Sequence, residues 1–381
     1  MGIDLGDVVV RRPTTLAHYA GKRVAIDAWN ILYQFLSSIR QPDGTPLMDG
    51  EGRITSHLAG TLYRTANLVE AGIRPVFVFD GVAPELKKET LAARAERKVK
   101  AAGEHAEARP AVEAARQALA AATTEPEREA AERHLRESEA RSLTKAQQTS
   151  RLTAPMVTQA QDLLRALGIP VVQATGEGEA QASWMCREGL VDAAVSQDFD
   201  ALLFGTPLLV RHLATGGKRK MPGKQVWADV TPEEVPLQDS LEALGLTHAQ
   251  LVDVALLVGT DFHPGIKGIG AKKAIPLVKK DGSLEALLAR LAANPASASS
   301  AAERAILEQR DALEDRDAVR AIFLQPDHAA VSPPDLAMKG PDADAVRAIM
   351  VDRHGFGRER VDTALARYGA GRARQAQKTL F

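Results

Sequence analysis

Seven acidic side chains stand where apolar segments of the sequence end, and carboxylates so placed could jointly bind metal ions. They occur singly or as pairs two residues apart, and they are Asp27, Asp80, Glu177, Glu179, Asp198, Asp200 and Asp261. Carboxylates held close together repel one another, so such a cluster is stable mainly when cations neutralise it. Ligation by oxygen alone selects a hard ion such as Mg²⁺ or Mn²⁺. Each acid alone could be a helix cap or a solvated surface charge, but their joint placement favours a site for two metal ions.

Other catalytic arrangements are missing from the sequence. The nine histidines form no HxH or HExxH pattern, which argues against a zinc site. There is no GxSxG and no plausible Ser/His/Asp order, so we expect no nucleophile from the protein itself. Paired metal ions can activate water and stabilise the leaving oxygen of a phosphodiester. The spacing of the acids alone predicts no more than a two-metal site, with which a hydrolase of small-molecule phosphate esters is also compatible.

Short β-rich runs are predicted to carry these acids to one edge of a parallel sheet. Arg23 to Asp27 and Pro75 to Asp80 each end in aspartate, and the helical spacing between them indicates a βαβ crossover. Strands over Ile169 to Gln173 and Asp192 to Ser196 continue the alternation. Helices are expected over 29–40, 54–71, 156–167 and 248–258 and after Glu177. Ligand sites of parallel α/β sheets lie beyond the carboxyl ends of the strands, where these acids can converge.

The two acid pairs require irregular backbone, because residues two apart on an ideal helix point in different directions. Both members of a pair can reach metal ions only from a loop or from a frayed helix start. Gly176 and Gly178 supply that freedom around the first pair. A helix N-terminus also stabilises carboxylates through its dipole.

The composition is that of a globular protein with no bulk preference for nucleic acid. Of 381 residues, 45% are hydrophobic and 25% charged, and the net charge is −1, so DNA binding would have to depend on local basic patches. The single cysteine, Cys186, can form neither an internal disulfide nor a zinc site, and we interpret it as a small buried hydrophobic residue of a protein in a reducing compartment. No segment approaches the ~20 apolar residues of a membrane span, so we expect a cytoplasmic protein, or a nuclear one in a nucleated cell.

Six sequence strings resemble the flap endonuclease branch of the structure-specific 5′ nuclease family, of the archaeal and eukaryotic type. In family order they are MGIDLGD, AIDAWNILYQFL, PVFVFDG, GEGEAQA, SQDFDALLFG and VGTDFHPGIKGIGAKKA. The resemblance implies a parallel-sheet nuclease core with helices on both faces, a helical arch insertion and a helix-hairpin-helix element. It also implies that all seven acids bind metal. Asp80, Glu177 and Glu179 would hold one Mg²⁺, Asp198, Asp200 and Asp261 mainly the other, and Asp27 would act through water.

The same resemblance assigns DNA contacts near the acids. Lys87 and Arg94 match basic positions at the base of the arch that contact the scissile phosphate. Arg97 and Lys98 would extend that patch, the alternative being two solvated charges. Two further positions complete the assignment: Tyr33 matches an aromatic residue that stacks on an unpaired base, and Gly2 would lie near the active site once Met1 is removed.

A glycine- and lysine-rich turn resembles the hairpin of the helix-hairpin-helix element. Its residues are Gly265, Lys267, Gly268, Gly270, Lys272 and Lys273. The glycines let backbone N–H groups approach a phosphate, and the following helix offers its positive end, so the hairpin is expected to grip duplex backbone without reading sequence. The family often places a K⁺ ion there. The turn lacks the GK[ST] ending of a P-loop, which excludes binding of a nucleoside triphosphate.

Five regions are predicted along the chain. Residues 1–97 and 151–262 form two parts of the nuclease core, 98–150 an arch or cap insertion, 263–370 the helix-hairpin-helix and a C-terminal helical region, and 371–381 a tail. In that tail Gln377, Leu380 and Phe381 resemble the start of a sliding-clamp-binding peptide, the alternative being a frayed end.

The sequence thus predicts a Mg²⁺-dependent flap endonuclease, with 5′–3′ exonuclease activity, that removes displaced 5′ strands in DNA replication and repair. We expect a monomer that binds branched DNA and, through its tail, a sliding clamp. Two alternatives stay open at this point. One is a 5′–3′ exonuclease or repair endonuclease of the same family, and the other is a DNA-binding scaffold that does not cleave.

Overall fold

The central sheet has seven strands and is parallel in its middle. A computed structural model describes residues 3–41, 44–87, 96, 110–148, 151–220 and 227–378. The strands of this sheet are β1 (Arg12–Pro13), β2 (Arg23–Asp27), β3 (Arg74–Phe79), β4 (Val171–Gln173), β5 (Ala193–Val195), β6 (Leu208–Arg211) and β9 (Glu233–Pro236). Their order is β1-β9-β6-β5-β2-β3-β4, while β7 (Gly217–Lys220) and β8 (Trp227–Val230) form a separate two-stranded antiparallel sheet.

Strand β2 lies at the middle of the parallel part. It pairs with β3 on one side and with β5 on the other, both in parallel, which confirms the βαβ crossover and the α/β fold class. One edge differs from the expected all-parallel sheet, because β9 runs antiparallel to β6 and β1 antiparallel to β9. With two residues in β1 and four in β9, these strands are too short for a recognisable alternation of apolar residues.

The helices account for most of the remaining chain. They are α1 (Ala28–Ser38), α2 (Ser56–Glu70), α3 (110–121), α4 (Glu125–Gln148), α5 (Ala154–Ala166), α6 (Gly178–Arg187), α7 (Asp200–Leu203), α8 (Leu237–Leu244), α9 (His248–Val258), α10 (Ala271–Asp281), α11 (Leu284–Ala293), α12 (Ala301–Glu308), α13 (Arg316–Leu324), α14 (Ala343–Arg347) and α15 (Arg358–Lys378). The helices predicted around α1, α2, α5 and α9 end within about two residues of their expected bounds. In the described ranges no single helix is long and apolar enough to cross a bilayer, although α8 and α9 pass that test as a pair bent by 77°.

Helices cover both faces of the sheet, as predicted, because side chains alternate along the buried strands. Val24 and Ile26 of β2 face a core shared with α1, α2 and α5. Ala25, between them, faces the opposite core, where Met185 and Cys186 of α6 pack. Cys186 is a free and buried thiol, which confirms its interpretation as a small hydrophobic residue.

The region predicted as an arch or cap insertion, residues 98–150, contains two helices in its described part. Helix α3 is separated from α4 by residues 122–124, and Pro126 lies in the first turn of α4. Glu127 caps the start of α4 by accepting hydrogen bonds from the N–H groups of Thr123 and Thr124, each at 3.1 Å. The two helices touch through an ion pair of 3.3 Å between Arg116 and Glu139, and most of their side chains are exposed.

The region predicted as 263–370 packs in two separate places. Helices α10 to α13 join the core around α9. Beyond them the chain crosses the molecule, and α15 packs along α2 in the other core. There the buried hydroxyl of Tyr368 donates to the Leu62 carbonyl at 3.2 Å, and Arg367 binds Glu70.

Candidate active site

Three neighbouring strands deliver carboxylates to one edge of the sheet. Strand β2 ends at Asp27, Asp80 directly follows β3, and Asp198 lies three residues after β5. Because β5, β2 and β3 are adjacent and parallel, their carboxyl ends meet at the same edge. Asp27 also begins α1, where its side chain accepts a hydrogen bond of 3.1 Å from the Asn30 N–H.

Helix starts deliver the partners of these acids. Glu177 is the N-cap of α6 and Glu179 lies in its first turn, while Asp200 begins α7. The acid pairs therefore come from helix starts, as the spacing predicted, and the positive ends of the helices favour their charge. Glycine at position 178 lets the start of α6 lie close to Asp80. The Gly178 N–H donates to Asp80 Oδ1 at 2.8 Å, and a Cβ on residue 178 would lie only 2.7 Å from the same oxygen.

Three groups that the sequence analysis did not single out hold these acids in place. The Ser196 hydroxyl lies 2.7 Å from Glu179 Oε1 and 3.3 Å from Asp27 Oδ2. The side-chain amide of Asn30 donates to Asp198 at 3.0 Å. The backbone N–H of Ile3 donates to Asp200 at 2.7 Å, which brings the N-terminal segment to the site. The one local signal for them is position: Ser196 directly follows β5, and Asn30 stands three residues after the capping Asp27.

Burial and mutual repulsion raise the pKa of the clustered carboxyls. Burial, and then the charge of Asp80, raise the pKa of Asp27 to about 8. Burial and Asp261 raise the pKa of Asp200 to about 7, and burial and Glu177 raise that of Asp80 to about 6. The pKa of Glu179 is also raised, by burial and then by Asp27. The raised pKa values reflect the repulsion that these carboxylates would exert if they were ionised together, and a bound cation would relieve that repulsion.

Lys87 provides a positive charge inside this cluster. It ends a short helical turn, Glu85–Lys87, and its ammonium binds Glu177 and lies 4.0 Å from Asp261 Oδ2. Burial lowers the pKa of Lys87, but Glu177, Asp80 and Asp261 raise it by more, so the net change is upward. Within the described ranges no three acidic, histidine or cysteine side chains form a ready ligand set.

The donor set nevertheless fits a hard divalent cation. All seven acids lie in the described part of the chain. Charges of neighbouring members of the group shift the pKa values of five side chains: Asp27, Asp80, Glu179, Asp200 and Lys87. Every side chain offered is a carboxylate, which matches Mg²⁺ or Mn²⁺.

The hairpin lies at the start of α10, after the loop that carries Asp261. Gly265 and Gly268 adopt positive φ angles of 66° and 90°, and a Cβ on Gly265 would lie 2.3 Å from the Gly259 nitrogen. Gly270 is the N-cap of α10. The predicted lysines Lys267, Lys272 and Lys273 are exposed around this helix start. Lys272 binds Asp7 at 2.7 Å in a fully accessible ion pair.

Other residues of the prediction lie farther away or outside the described residues. Tyr33 is on α1, one turn beyond Asn30, and is partly exposed. Gln377 lies in the last turn of α15. The residues outside the described ranges are Gly2, Arg94, Arg97, Lys98, Leu380 and Phe381.

Comparisons with known proteins agree with this geometry. The chain matches the XPG N-terminal domain over residues 5–101 and the XPG I-region over residues 168–261. Flap endonuclease 1 of Archaeoglobus fulgidus is 42% identical over 376 residues, which cover 99% of this chain and 98% of that protein. Flap endonuclease 1 of Pyrococcus furiosus is 42% identical over 368 residues, covering 96% and 94%.

Solved structures extend the comparison to the fold. The structure of flap endonuclease-1 from Methanococcus jannaschii gives a TM-score of 0.67 at 33% identity and covers 99% of this chain and 100% of that chain. The catalytic core of Rad2 in complex with DNA substrate also gives 0.67, at 23% identity over 97% of this chain and 100% of that one, which shows a shared fold. The matched XPG regions include all seven acids and Lys87. On this full-length similarity and this site, the chain belongs to the flap endonuclease family, whose members are metal-dependent DNA endonucleases.

Proposed function

We propose that this protein cuts a displaced 5′ single strand at its junction with duplex DNA, in replication and repair, by hydrolysis that requires two Mg²⁺ ions. The observation that carries the proposal is the meeting of seven carboxylates and Lys87 at one edge of the sheet. Mn²⁺ would substitute for Mg²⁺, because both ions prefer oxygen ligands. Bound there, the ions would supply an activated water and stabilise the leaving oxygen of the phosphodiester.

The proposed ligand sets are those that the resemblance to the family implies. Asp80, Glu177 and Glu179 would hold one ion and Asp198, Asp200 and Asp261 mainly the other, with Asp27 acting through water. The influence of Glu177 on the pKa of Asp80, and of Asp261 on that of Asp200, supports this division. Glu179 is influenced by Asp27, Asp200 and Asp198, so it lies towards the second group as well.

Side chains around the acids would act on the DNA itself. Lys87 would turn its ammonium from Glu177 to the scissile phosphate and stabilise the negative charge that develops there. Arg94 would assist it, Arg97 and Lys98 would extend the basic patch, and Tyr33 would stack on an unpaired base. The hairpin before α10, with a K⁺ ion, would bind the duplex backbone through N–H groups.

We also propose the cellular setting of this activity. The protein would act as a monomer in the cytoplasm, or in the nucleus of a nucleated cell, with 5′–3′ exonuclease activity beside its endonuclease activity. Gln377, Leu380 and Phe381 would bind a DNA sliding clamp. Loss of clamp binding on substitution Phe381→Ala, measured with the purified full chain, tests that contact.

Cleavage of a labelled double-flap DNA tests the central proposal. A matched nicked duplex and a plain single strand serve as competing substrates, each with Mg²⁺ and with EDTA. We expect Mg²⁺-dependent incision at the flap junction by the wild-type protein. The variant Asp198→Ala should bind the same DNA without cutting it.

Each other result identifies an alternative. Cleavage confined to the nicked or single-stranded DNA would indicate an exonuclease of the same family. Binding without cleavage by the wild-type protein would indicate a scaffold. Full turnover by Asp198→Ala would refute the metal assignment.

A further inference from the structure

Ser196 is a buried hydroxyl between acids that come from different parts of the chain. It directly follows β5 and is 4% exposed. Its oxygen lies 2.7 Å from Glu179 Oε1 and 3.3 Å from Asp27 Oδ2, and it accepts a hydrogen bond of 3.2 Å from the Asp198 N–H. One hydroxyl therefore connects the start of α6, the end of β2 and the loop that carries Asp198.

The chemistry of a hydroxyl limits how these contacts are shared. A serine has one proton to donate, so it can be given to Glu179 or to Asp27 but not to both at once. The shorter distance favours Glu179. In either case the Ser196 oxygen still accepts the hydrogen bond from the Asp198 N–H. The loop that carries Asp198 is therefore linked through Ser196 to whichever acid accepts the hydrogen bond of the hydroxyl.

We propose that Ser196 is a positioning residue that makes the two cation positions of the centre depend on each other. This inference rests on the proposed function, in which Glu179 binds one ion and Asp198 the other. An ion that fixes Glu179 in place also fixes the Ser196 hydroxyl, and through it the backbone that presents Asp198. If an ion draws Glu179 away, the Ser196 hydroxyl can donate its hydrogen bond to Asp27 instead, and the link then joins that carboxylate to the second position.

A neighbouring serine shows why this role belongs to Ser196. Ser183 on α6 is also buried, but its hydroxyl contacts the backbone carbonyls of Glu179 and Ala201 and the hydroxyl of Thr206. Removing the Ser183 hydroxyl therefore disturbs packing near the site and leaves the carboxylate side chains untouched. The variant Ser183→Ala is a matched control for the loss of a buried hydroxyl.

Binding of Mn²⁺ to the full-length protein without DNA tests the inference. Electron paramagnetic resonance counts the free ion as Mn²⁺ is added, for the wild type and for the variants Ser196→Ala, Ser196→Thr and Ser183→Ala. We expect cooperative binding of two ions by the wild type. Ser196→Ala should bind about 10–100-fold more weakly and without cooperativity, as is typical when a residue that orients metal ligands is removed. Ser196→Thr, which keeps a hydroxyl, should restore cooperative binding.

Several outcomes would overturn this role. They are a Ser196→Ala isotherm equal to that of the wild type, an equal loss in Ser183→Ala, and a fully folded Ser196→Thr protein that binds no better than Ser196→Ala. Thermal unfolding of each variant shows that it is folded. Should Ser196→Ala not fold, Ser196→Cys, with its weaker donor, replaces it and should bind with intermediate affinity. A wild-type protein that cuts flaps yet binds Mn²⁺ without cooperativity would refute the coupling alone, whereas one that neither binds nor cuts would refute the proposed function.

Discussion

Lys87 holds a position among the acids that a metal ion would also favour. Its ammonium binds Glu177 and lies 4.0 Å from Asp261, and its side chain is 13% exposed. A buried ammonium is stable there because the surrounding carboxylates offset the loss of hydration. The same side chain provides a cation that could meet a phosphate at the site. Lys87 would therefore exchange partners, from carboxylate to phosphate, when metal ions and DNA arrive.

The variant Lys87→Ala should lower turnover more than it weakens DNA binding. The ammonium is assigned to charge that develops on the phosphate during reaction, so its loss should reduce kcat by about 10²–10³-fold with little change in KM. Single-turnover cleavage of a flap substrate measures the rate, and Lys87→Arg is the charge-preserving control. A rise in KM at unchanged kcat would show instead that Lys87 only binds the substrate.

At the scale of residues, the sequence identified the charged groups but not the neutral groups that orient them. Acids at strand ends and glycines beside them are local signals. The contacts of Ser196 with Asp27 and of Ile3 with Asp200 join residues 169 and 197 positions apart. No pattern within a single segment contains such a contact, so the fold had to be known first.

Among the elements, the hairpin before α10 illustrates how backbone conformation is fixed by glycine. Gly265 and Gly268 both have positive φ, but their surroundings differ. A Cβ on Gly265 would meet backbone atoms of Gly259 at 2.3 Å, whereas one on Gly268 would meet nothing within 4 Å. Gly265 therefore serves close packing against the end of α9, and Gly268 keeps an exposed turn open.

Alanine substitutions at these two glycines should have different effects. Gly268→Ala should cost only the strain of a left-handed residue, about 1–2 kcal/mol, and weaken binding to duplex DNA by crowding the exposed turn. Gly265→Ala adds a backbone clash and should lower the free energy of unfolding by about 2–5 kcal/mol. Urea unfolding and duplex binding measure the two effects. Equal unfolding free energies for the two variants would contradict the packing role of Gly265.

Elements with clear periodicity were predictable, and those defined by tertiary contacts were not. Helix α9 has the bounds that the sequence predicted, 248–258, because its apolar residues are continuous; the capping by Thr247 is seen only in the structure. Strands β1 and β9 exist only because each finds a partner at the sheet edge. The packing of α15 against α2 could not be inferred either, because an amphipathic pattern shows which face of a helix is buried but not which element covers that face.

Across the whole molecule, the net charge of −1 conceals a strongly acidic site. Its carboxyls are stabilised in the protonated form when no metal is bound, as their raised pKa values indicate. Folding and metal binding are therefore linked: the folded chain holds repelling groups together, and cations relieve that repulsion.

In EDTA, the protein should lose stability as pH rises from about 6.5 to 8.5. Asp27 and Asp200 have folded pKa values of about 8 and 7, above their ordinary value of 3.8, so in this window the folded state holds protons that the unfolded chain has released. Stability then falls with rising pH. The window lies above the range in which His57, whose pKa burial lowers to about 4, contributes the opposite slope.

Melting temperature against pH measures this effect. We expect a fall of several degrees in EDTA, a smaller fall with saturating Mg²⁺, and a flatter curve in EDTA for Asp200→Asn. A melting temperature that stays constant across the window in EDTA would show that the carboxyls are not held in the protonated form.

The contact of α15 with α2 also affects how the chain folds while it is being synthesised. The Leu62 carbonyl and its partner Tyr368 are 306 positions apart. At about 5–20 residues per second, a ribosome needs on the order of 15–60 s to produce the second after the first. During that interval the apolar side of α2 has no cover from α15, so the nascent chain needs protection by chaperones, and chains that stop before α15 should aggregate.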